Sequence, residues 1–76
     1  MSYLRPIHRN DIWLDQIFSA KAAMRGGVIR RSKGDVERKI GRSRLELEVR
    51  KRGFHLVEAG DQFIIICDRG EIRIVC

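Results

Sequence analysis

The sequence predicts an α+β fold in a single domain, and three observations carry this prediction. The chain has 76 residues, 43 % of them hydrophobic, which suits one small core. Apolar side chains recur at helical spacing over residues 11–25 and at strand spacing over residues 54–76. Residues 28–53 between them carry two helix-start patterns. We therefore expect an irregular arm over residues 1–9 and a single domain over residues 10–76.

The first helix is predicted over residues 11–25, behind an Asn-Asp pair that can cap its N-terminus. Its apolar stripe consists of Trp13, Ile17, Ala20 and Met24, widened by Leu14 and Phe18. Because the helix and the sheet each have a large apolar face, we expect the helix to pack through Trp13 and Ile17 on a sheet centred on residues 62–68. On that arrangement Trp13→Ala would cost about 3–5 kcal/mol.

The middle of the chain predicts a brief strand at residues 28–31 and then two short helices. Ser32-x-x-Asp35 is typical of a helix start, and Ser43-x-x-Glu46 has the pattern of a capping box. Gly41 can end the first of these helices. One bent helix is the alternative, but it would turn its two apolar pairs to opposite sides. We therefore favour two helices, the second ending at Gly53.

The C-terminal third, FHLVEAGDQFIIICDRGEIRIVC, predicts a three-stranded antiparallel meander. The strands are expected at residues 54–58, 62–68 and 71–76, joined by the turns Ala59-Gly60-Asp61 and Asp68-Arg69-Gly70. In the central strand, alternation places Phe63, Ile65 and Cys67 on one face and Ile64 and Ile66 on the other. A strand that is apolar on both sides suits the centre of a sheet. It also predicts that both faces are covered, one of them by a second copy of the chain.

The charge of the chain is concentrated in one stretch. Residues 28–53 hold ten of the 16 Lys and Arg residues against four acids, so their net charge equals the +6 of the whole sequence. Such a block is either a site for a polyanion or a solvated helical face. Placing Leu45 and Val49 inward turns Ser43, Arg44, Leu47, Arg50 and Lys51 outward. The candidate nucleic-acid-binding residues are Arg30, Arg31, Lys33, Arg42, Ser43, Arg44, Arg50 and Lys51.

The predicted order is helix, short strand, two helices and hairpin, with VERKIGRSRLELEVRKRGF at its centre. This order resembles the winged-helix domains, a variant of the helix-turn-helix family, over about residues 11–68. The resemblance implies that the helix from Arg44 to Arg52 would face DNA with its outer side. Several of its outward side chains can donate hydrogen bonds to phosphates or base edges.

A second resemblance lies in GFHLVEAGDQFIIICDRGEIRIVC, with GGVIRRS before it. These segments look like a group of short uncharacterised bacterial proteins, some of which carry the label phosphoribosylanthranilate isomerase. That enzyme is a (β/α)₈ barrel of about 200 residues or more, which 76 residues cannot form. The resemblance therefore implies neither that activity nor any site residues.

No pattern in the sequence predicts catalysis. The soft metal ligands His8, His55, Cys67 and Cys76 lack the paired spacings of zinc sites. Asp68 lies beside Cys67, but no histidine is placed to complete a triad with them. We therefore expect a protein that is not an enzyme, with no cofactor, no metal and no small-molecule substrate.

Two hypotheses of function remain open. The first is a small basic module that binds nucleic acid, duplex DNA in particular, through residues 28–53. The alternative is a protein–protein interaction module or regulatory homodimer with no role in nucleic-acid binding. No apolar run approaches the roughly 18 residues that span a bilayer, and MSYLRPIHRND has no signal-peptide core, so no membrane association is expected. Two cysteines without a disulfide framework predict a cytoplasmic location.

Overall fold

The computed structural model describes residues 9–76, and the side chains from Asp11 onward. Its elements are α1 (Arg9–Phe18), α2 (Lys21–Met24), β1 (Val28–Ser32), α3 (Lys33–Lys39), α4 (Arg42–Lys51), β2 (His55–Ala59) and β3 (Gln62–Ile66). Four helices and a three-stranded antiparallel sheet confirm the α+β class. The predicted arm, residues 1–9, lies outside the described residues except for Arg9, which begins α1.

The strand order of the sheet is β1-β3-β2, with both pairings antiparallel. The brief strand predicted at residues 28–31 is confirmed as β1, and the central position of the Phe63–Ile66 segment is confirmed as β3. The third strand predicted at residues 71–76 is wrong, since these residues form no strand. The reason is that β1 and β2 already occupy both edges of β3, which leaves no place beside β3 for the chain that follows it.

The inner face of the sheet forms one side of the core. Ile29 and Leu56 both lie opposite Ile65, and Phe63 and Cys67 share that face. The predicted alternation in β3 is confirmed, because these inner residues are buried while Ile64 and Ile66 point to the other side. The buried core consists of Ile17, Ala23, Ile29, Val36, Leu45, Val49, Phe63, Ile65 and Cys67.

The first helix is broken, so the prediction of one helix over residues 11–25 is wrong beyond Phe18. The Ser19 hydroxyl donates to the carbonyl oxygen of Asp15 at 2.6 Å, a back-bond that favours bending. Ala20 is extended, with φ −62° and ψ 151°, and α2 starts again in a new direction. As a result α2 buries Ala23, while Met24, predicted in the apolar stripe, is 79 % exposed.

The helix pair in the middle is confirmed. The Ser32 hydroxyl accepts a hydrogen bond from the Asp35 backbone N–H at 3.1 Å, as the start of α3 requires. Gly41, with φ +82°, separates α3 from α4 in a conformation that side-chain-bearing residues rarely adopt. The elements follow the predicted order of helix, strand, two helices and hairpin, apart from the break that divides the first helix into α1 and α2.

The start of α4 differs from the prediction. The helix begins at Arg42 with Gly41 as its N-cap, and no side chain caps it. The capping box at Ser43 is therefore wrong: Ser43 lies inside the first turn, and Glu46 accepts from Arg42 at 3.2 Å instead. The predicted end of the helix at Gly53 is confirmed. No helix within residues 9–76 is long and apolar enough to cross a membrane.

Candidate nucleic-acid interface

The outer side of α4 is the face on which the basic residues were predicted to lie. Leu45 and Val49 are buried, which turns the opposite side of the helix to solvent. The predicted outward residues are all exposed: Ser43, Arg44, Leu47, Arg50 and Lys51. Leu47, 50 % exposed, lies near the centre of this face. We call these five residues the α4 outer face.

The C-terminal end of α4 is fixed by backbone hydrogen bonds. The N–H of Phe54 donates to the carbonyl of Val49 at 3.1 Å, and the N–H of Gly53 donates to Arg50 at 3.0 Å. With φ +72° at Gly53, this is a Schellman motif. It satisfies carbonyls at the end of the helix and holds the last turn in place, so the cations at this end have a fixed backbone.

Ion pairs connect the N-terminal end of α4 to the hairpin of β2 and β3. An Arg42 nitrogen, Nη2, lies 2.6 Å from Oε1 of Glu58, and Lys33 Nζ lies 3.1 Å from Oε2 of the same carboxylate. The hydrogen bond from Lys33, followed by the charge of Arg42, lowers the pKa of Glu58. Both cations also lie over the Phe63 ring, at 5.7 and 5.8 Å. Lys33 and Arg42 therefore form one cluster with Glu58.

A second carboxylate, Glu48, organises the middle of α4. Arg52 Nη1 donates to its Oε2 at 2.8 Å, and Arg44 Nε donates to Oε1 at 3.4 Å. The hydrogen bond from Arg52 is the main cause that lowers the pKa of Glu48. The Arg52 guanidinium also lies 3.9 Å above the Phe18 ring. This joins α4 to α1 by a cation–π contact.

Arg44 is engaged in the same network. Its Nη2 donates to Asp11 Oδ1 at 2.7 Å, which links α4 to the first turn of α1. This hydrogen bond, together with the one to Glu48, raises the pKa of the guanidinium. Arg44 is exposed, but its charge is already partly balanced by two acids.

The remaining cations of the α4 outer face have less compensation. Arg50 has no acidic partner among the side chains that the structure describes, and Lys51 approaches Glu48 only at 3.6 Å. Both lie in the last turn of α4, where positive charge is favoured by the helix dipole. They are the most available cations of this face for a polyanion.

The two arginines of β1 lie on opposite faces of the sheet. Arg30 is opposite Ile64 and belongs to the outer face of the sheet, away from the helices. Arg31 is half-buried, and its Nη1 donates to the carbonyl of Arg30 at 2.6 Å. The structure thus brings together five of the eight predicted residues on α4, places Lys33 beside them, and separates Arg30 from them.

Sequence reasoning missed the two acids that bind Arg42. Glu46 could have been found from its i,i+4 spacing to Arg42. Glu58 could not, because its contact depends on how the hairpin lies against α4. The same packing forms a cleft of about 350 Å³ between α4 and β2, lined by Arg50 and Val49 on the helix side and by Phe54 and Leu56 on the other.

Within the described part of the chain, no group of three His, Cys, Asp or Glu side chains is arranged to hold a metal ion. Comparisons with protein families, curated proteins and solved structures found no match for this chain. The interpretation of the site therefore rests on its own geometry and charge.

Proposed function

We propose that the protein is a small non-catalytic module that binds nucleic acid, duplex DNA in particular, through the α4 outer face. The observation that carries this proposal is the exposure of the whole face on a helix that follows a tight turn from α3. An α-helix with its side chains is about 10–12 Å across, and the major groove is about 12 Å wide. The shape of the element suits the groove.

The chemistry of the face supports the same partner. Arg50 and Lys51 supply positive charge for phosphates, and the Ser43 hydroxyl can donate to a phosphate or a base edge. Leu47 between them can contact a thymine methyl group. The hairpin contributes little, since Asp61 would repel phosphates and Glu58 takes up charge of Lys33 and Arg42. The proposal includes a cytoplasmic location, where free thiols such as those of Cys67 and Cys76 stay reduced.

The first test of this proposal is how the affinity for DNA depends on salt concentration. If three or four cations neutralise phosphates, the logarithm of the affinity should fall by about 0.9 per contact for each tenfold rise in salt. We expect fluorescence anisotropy with a labelled random duplex to show binding at about 50 mM salt and much weaker binding at about 200 mM. No binding at the lower salt concentration would contradict the proposal.

A double variant tests the location of the site. Arg50→Ala with Lys51→Ala removes the two least compensated cations, and we expect affinity to fall by about tenfold or more. Lys21→Ala with Arg25→Ala removes the same charge from exposed positions at α2 and should leave most of the binding intact. Arg44 is a poorer choice than sequence alone suggested, because its loss would also break the link to Asp11. Equal effects of the two double variants would contradict a site on α4.

The second candidate function is protein–protein interaction without nucleic acid. It is favoured by the outer face of the sheet, where Val28 is 50 % and Val57 40 % exposed beside the half-buried Ile64 and Ile66. Exposed apolar side chains grouped on one face of a sheet are typical of an interaction site. Sedimentation without DNA tests this candidate, because a monomer at all concentrations would leave the α4 outer face as the better-supported site.

A further inference from the structure

The segment that follows β3 is the most exposed apolar part of the described chain. Ile72 is 40 %, Ile74 87 % and Val75 88 % exposed. The sequence Glu71–Cys76 alternates in a strand-like manner, and it was predicted as a strand from that pattern. We call residues 71–76 the tail. Its composition favours a strand, but no strand within residues 9–76 pairs with it.

The root of the tail is held in place. Asp68 Oδ1 accepts from the Gly70 N–H at 2.7 Å, and Arg69 Nε donates to the carbonyl of Arg52 at 3.2 Å. His55 Nε2 lies 2.6 Å from the carbonyl oxygen of Gly70. These contacts carry the chain past the start of β2, and Ile74 and Val75 beyond them are largely exposed.

The complementary feature is the free edge of β2. This strand pairs with β3 on one side, and no strand within residues 9–76 pairs with its other side. The cleft of about 350 Å³ between β2 and α4 opens along this edge. An exposed strand edge beside a cleft is the arrangement to which an extended segment adds as a further strand.

We propose that the tail of one copy adds to the β2 edge of a second copy as a fourth, antiparallel strand, and that the exchange is reciprocal. Two copies then bury two tails across a two-fold axis. The inference goes beyond nucleic-acid binding and does not depend on it.

One register satisfies the side chains of both segments. Antiparallel pairing with Ile74 opposite Val57 extends the apolar outer face of the sheet. It also sets Arg73 opposite Glu58 and Val75 opposite Leu56, on the side of the cleft. Cross-strand apolar and opposite-charge pairs of this kind stabilise a sheet. A shift by one residue would place Arg73 against Val57, so the pairing specifies its register.

The occupant is a second copy rather than the chain's own tail. Docking on its own β2 would run the tail parallel to that strand, a slightly less stable pairing than an antiparallel one. The contacts of Arg69 and Gly70 hold the root of the tail at the start of β2, so the chain's own tail could follow this edge only in the parallel direction. A second copy can deliver its tail in the antiparallel direction with these contacts intact.

The expected association is weak. The tail and β2 together contribute 11 residues from each copy, fewer than the roughly 20–30 residues a side of a standard interface. We therefore expect a dissociation constant of about 10 µM or higher. Sedimentation equilibrium of the full chain from about 1 µM to about 1 mM covers this range and should show a monomer–dimer equilibrium.

Two single variants test the two sides of the interface. Ile74→Glu and Val57→Lys each place a charge in the apolar pair, and each should weaken dimerisation by about tenfold or more. Met24→Glu is the matched control for the first, since Met24 is a similarly exposed apolar residue outside the interface and its replacement should leave the equilibrium unchanged. Circular dichroism verifies that all variants are folded.

Mixing the variants tests the pairing itself. A mixed dimer of one Ile74→Glu copy and one Val57→Lys copy has two contacts between a tail and a β2 edge. One contact joins the two introduced charges, which are opposite, and the other is the original pair of Ile74 and Val57. Mixing the two variants should therefore restore dimers. Dimerisation of Ile74→Glu equal to that of the parent would overturn the proposal. So would a parent that is monomeric throughout the concentration range, or variants that stay monomeric when mixed. Because no DNA is present, the results with the variants do not depend on nucleic-acid binding.

Discussion

The two faces of the sheet have similar sequences and different surroundings. On the inner face Phe63 and Ile65 are buried beneath the helices, whereas on the outer face Ile64 and Ile66 are only half-buried. Four consecutive residues of one strand thus alternate between a core and an open surface. Their alternation reports which side chains share a face, but not what covers that face.

The inner face is covered because every helix contributes to it. Ile17 of α1, Ala23 of α2, Val36 of α3 and Leu45 of α4 all belong to the buried core. No helix remains for the outer face among the described elements. Any cover on the outer face would therefore come from outside these elements.

The largest expected effect on stability comes from replacing an isoleucine of the inner face, and the same replacement on the outer face is its comparison. Ile65→Ala removes a side chain that is 0 % exposed and should cost about 2–5 kcal/mol, out of a stability of about 4–11 kcal/mol for a domain of this size. Ile64→Ala, next to it on the outer face, should cost about 1 kcal/mol. Urea unfolding at low micromolar concentration measures both without a contribution from association. Equal losses would mean that the two faces are covered alike in solution.

Much of the fold could be predicted because local patterns decide it. The Ser32 cap, the stops at Gly41 and Gly53 and the alternation in β3 each depend on a few neighbouring residues. The prediction of a strand at residues 71–76 was wrong, because strand propensity does not show whether the neighbouring strand has a free edge. The break at Ser19 was missed because its hydroxyl could equally have pointed to solvent.

The candidate site was predictable in part for the same reason. Helical periodicity sufficed to place Arg50 and Lys51 on the outer side of α4. The i,i+4 partners Glu46 and Glu48 could be predicted from spacing. Glu58 and Asp11 could not, because they approach α4 only through tertiary packing. A count of basic residues therefore overstates the charge available to a polyanion.

A smaller effect is expected at Trp13, on the helix that helps to cover the inner face. Trp13 packs against the core but is only half-buried, unlike Ile17. Trp13→Ala should therefore cost about 2–3 kcal/mol, less than the range expected for a fully buried tryptophan. Thermal unfolding followed by circular dichroism measures this loss. A loss larger than that of Ile65→Ala would show that α1, rather than the sheet, forms the centre of the core.

A still smaller effect is expected at Glu48, whose ion pairs with Arg44 and Arg52 orient the two side chains that reach α1. Glu48→Gln keeps a hydrogen-bond acceptor but loses the charge, and should cost about 1–2 kcal/mol near pH 7. Since Arg52 lowers the pKa of Glu48 below its ordinary value of 4.5, the carboxylate stabilises the fold above that pH. This contribution is lost as the pH falls through the pKa of the folded state.

The difference in stability between parent and Glu48→Gln should therefore be constant above about pH 5 and shrink below pH 4.5. Urea unfolding at several pH values between about 3 and 7 measures it, and subtraction cancels the acids common to both proteins. Glu37→Gln is the matched control, because Glu37 is an exposed helical acid with no ion pair among the described side chains. If Glu37→Gln showed the same pH-dependent difference, the effect would come from net charge. The ion pairs of Glu48 would then not be what stabilises the helical layer over the inner face.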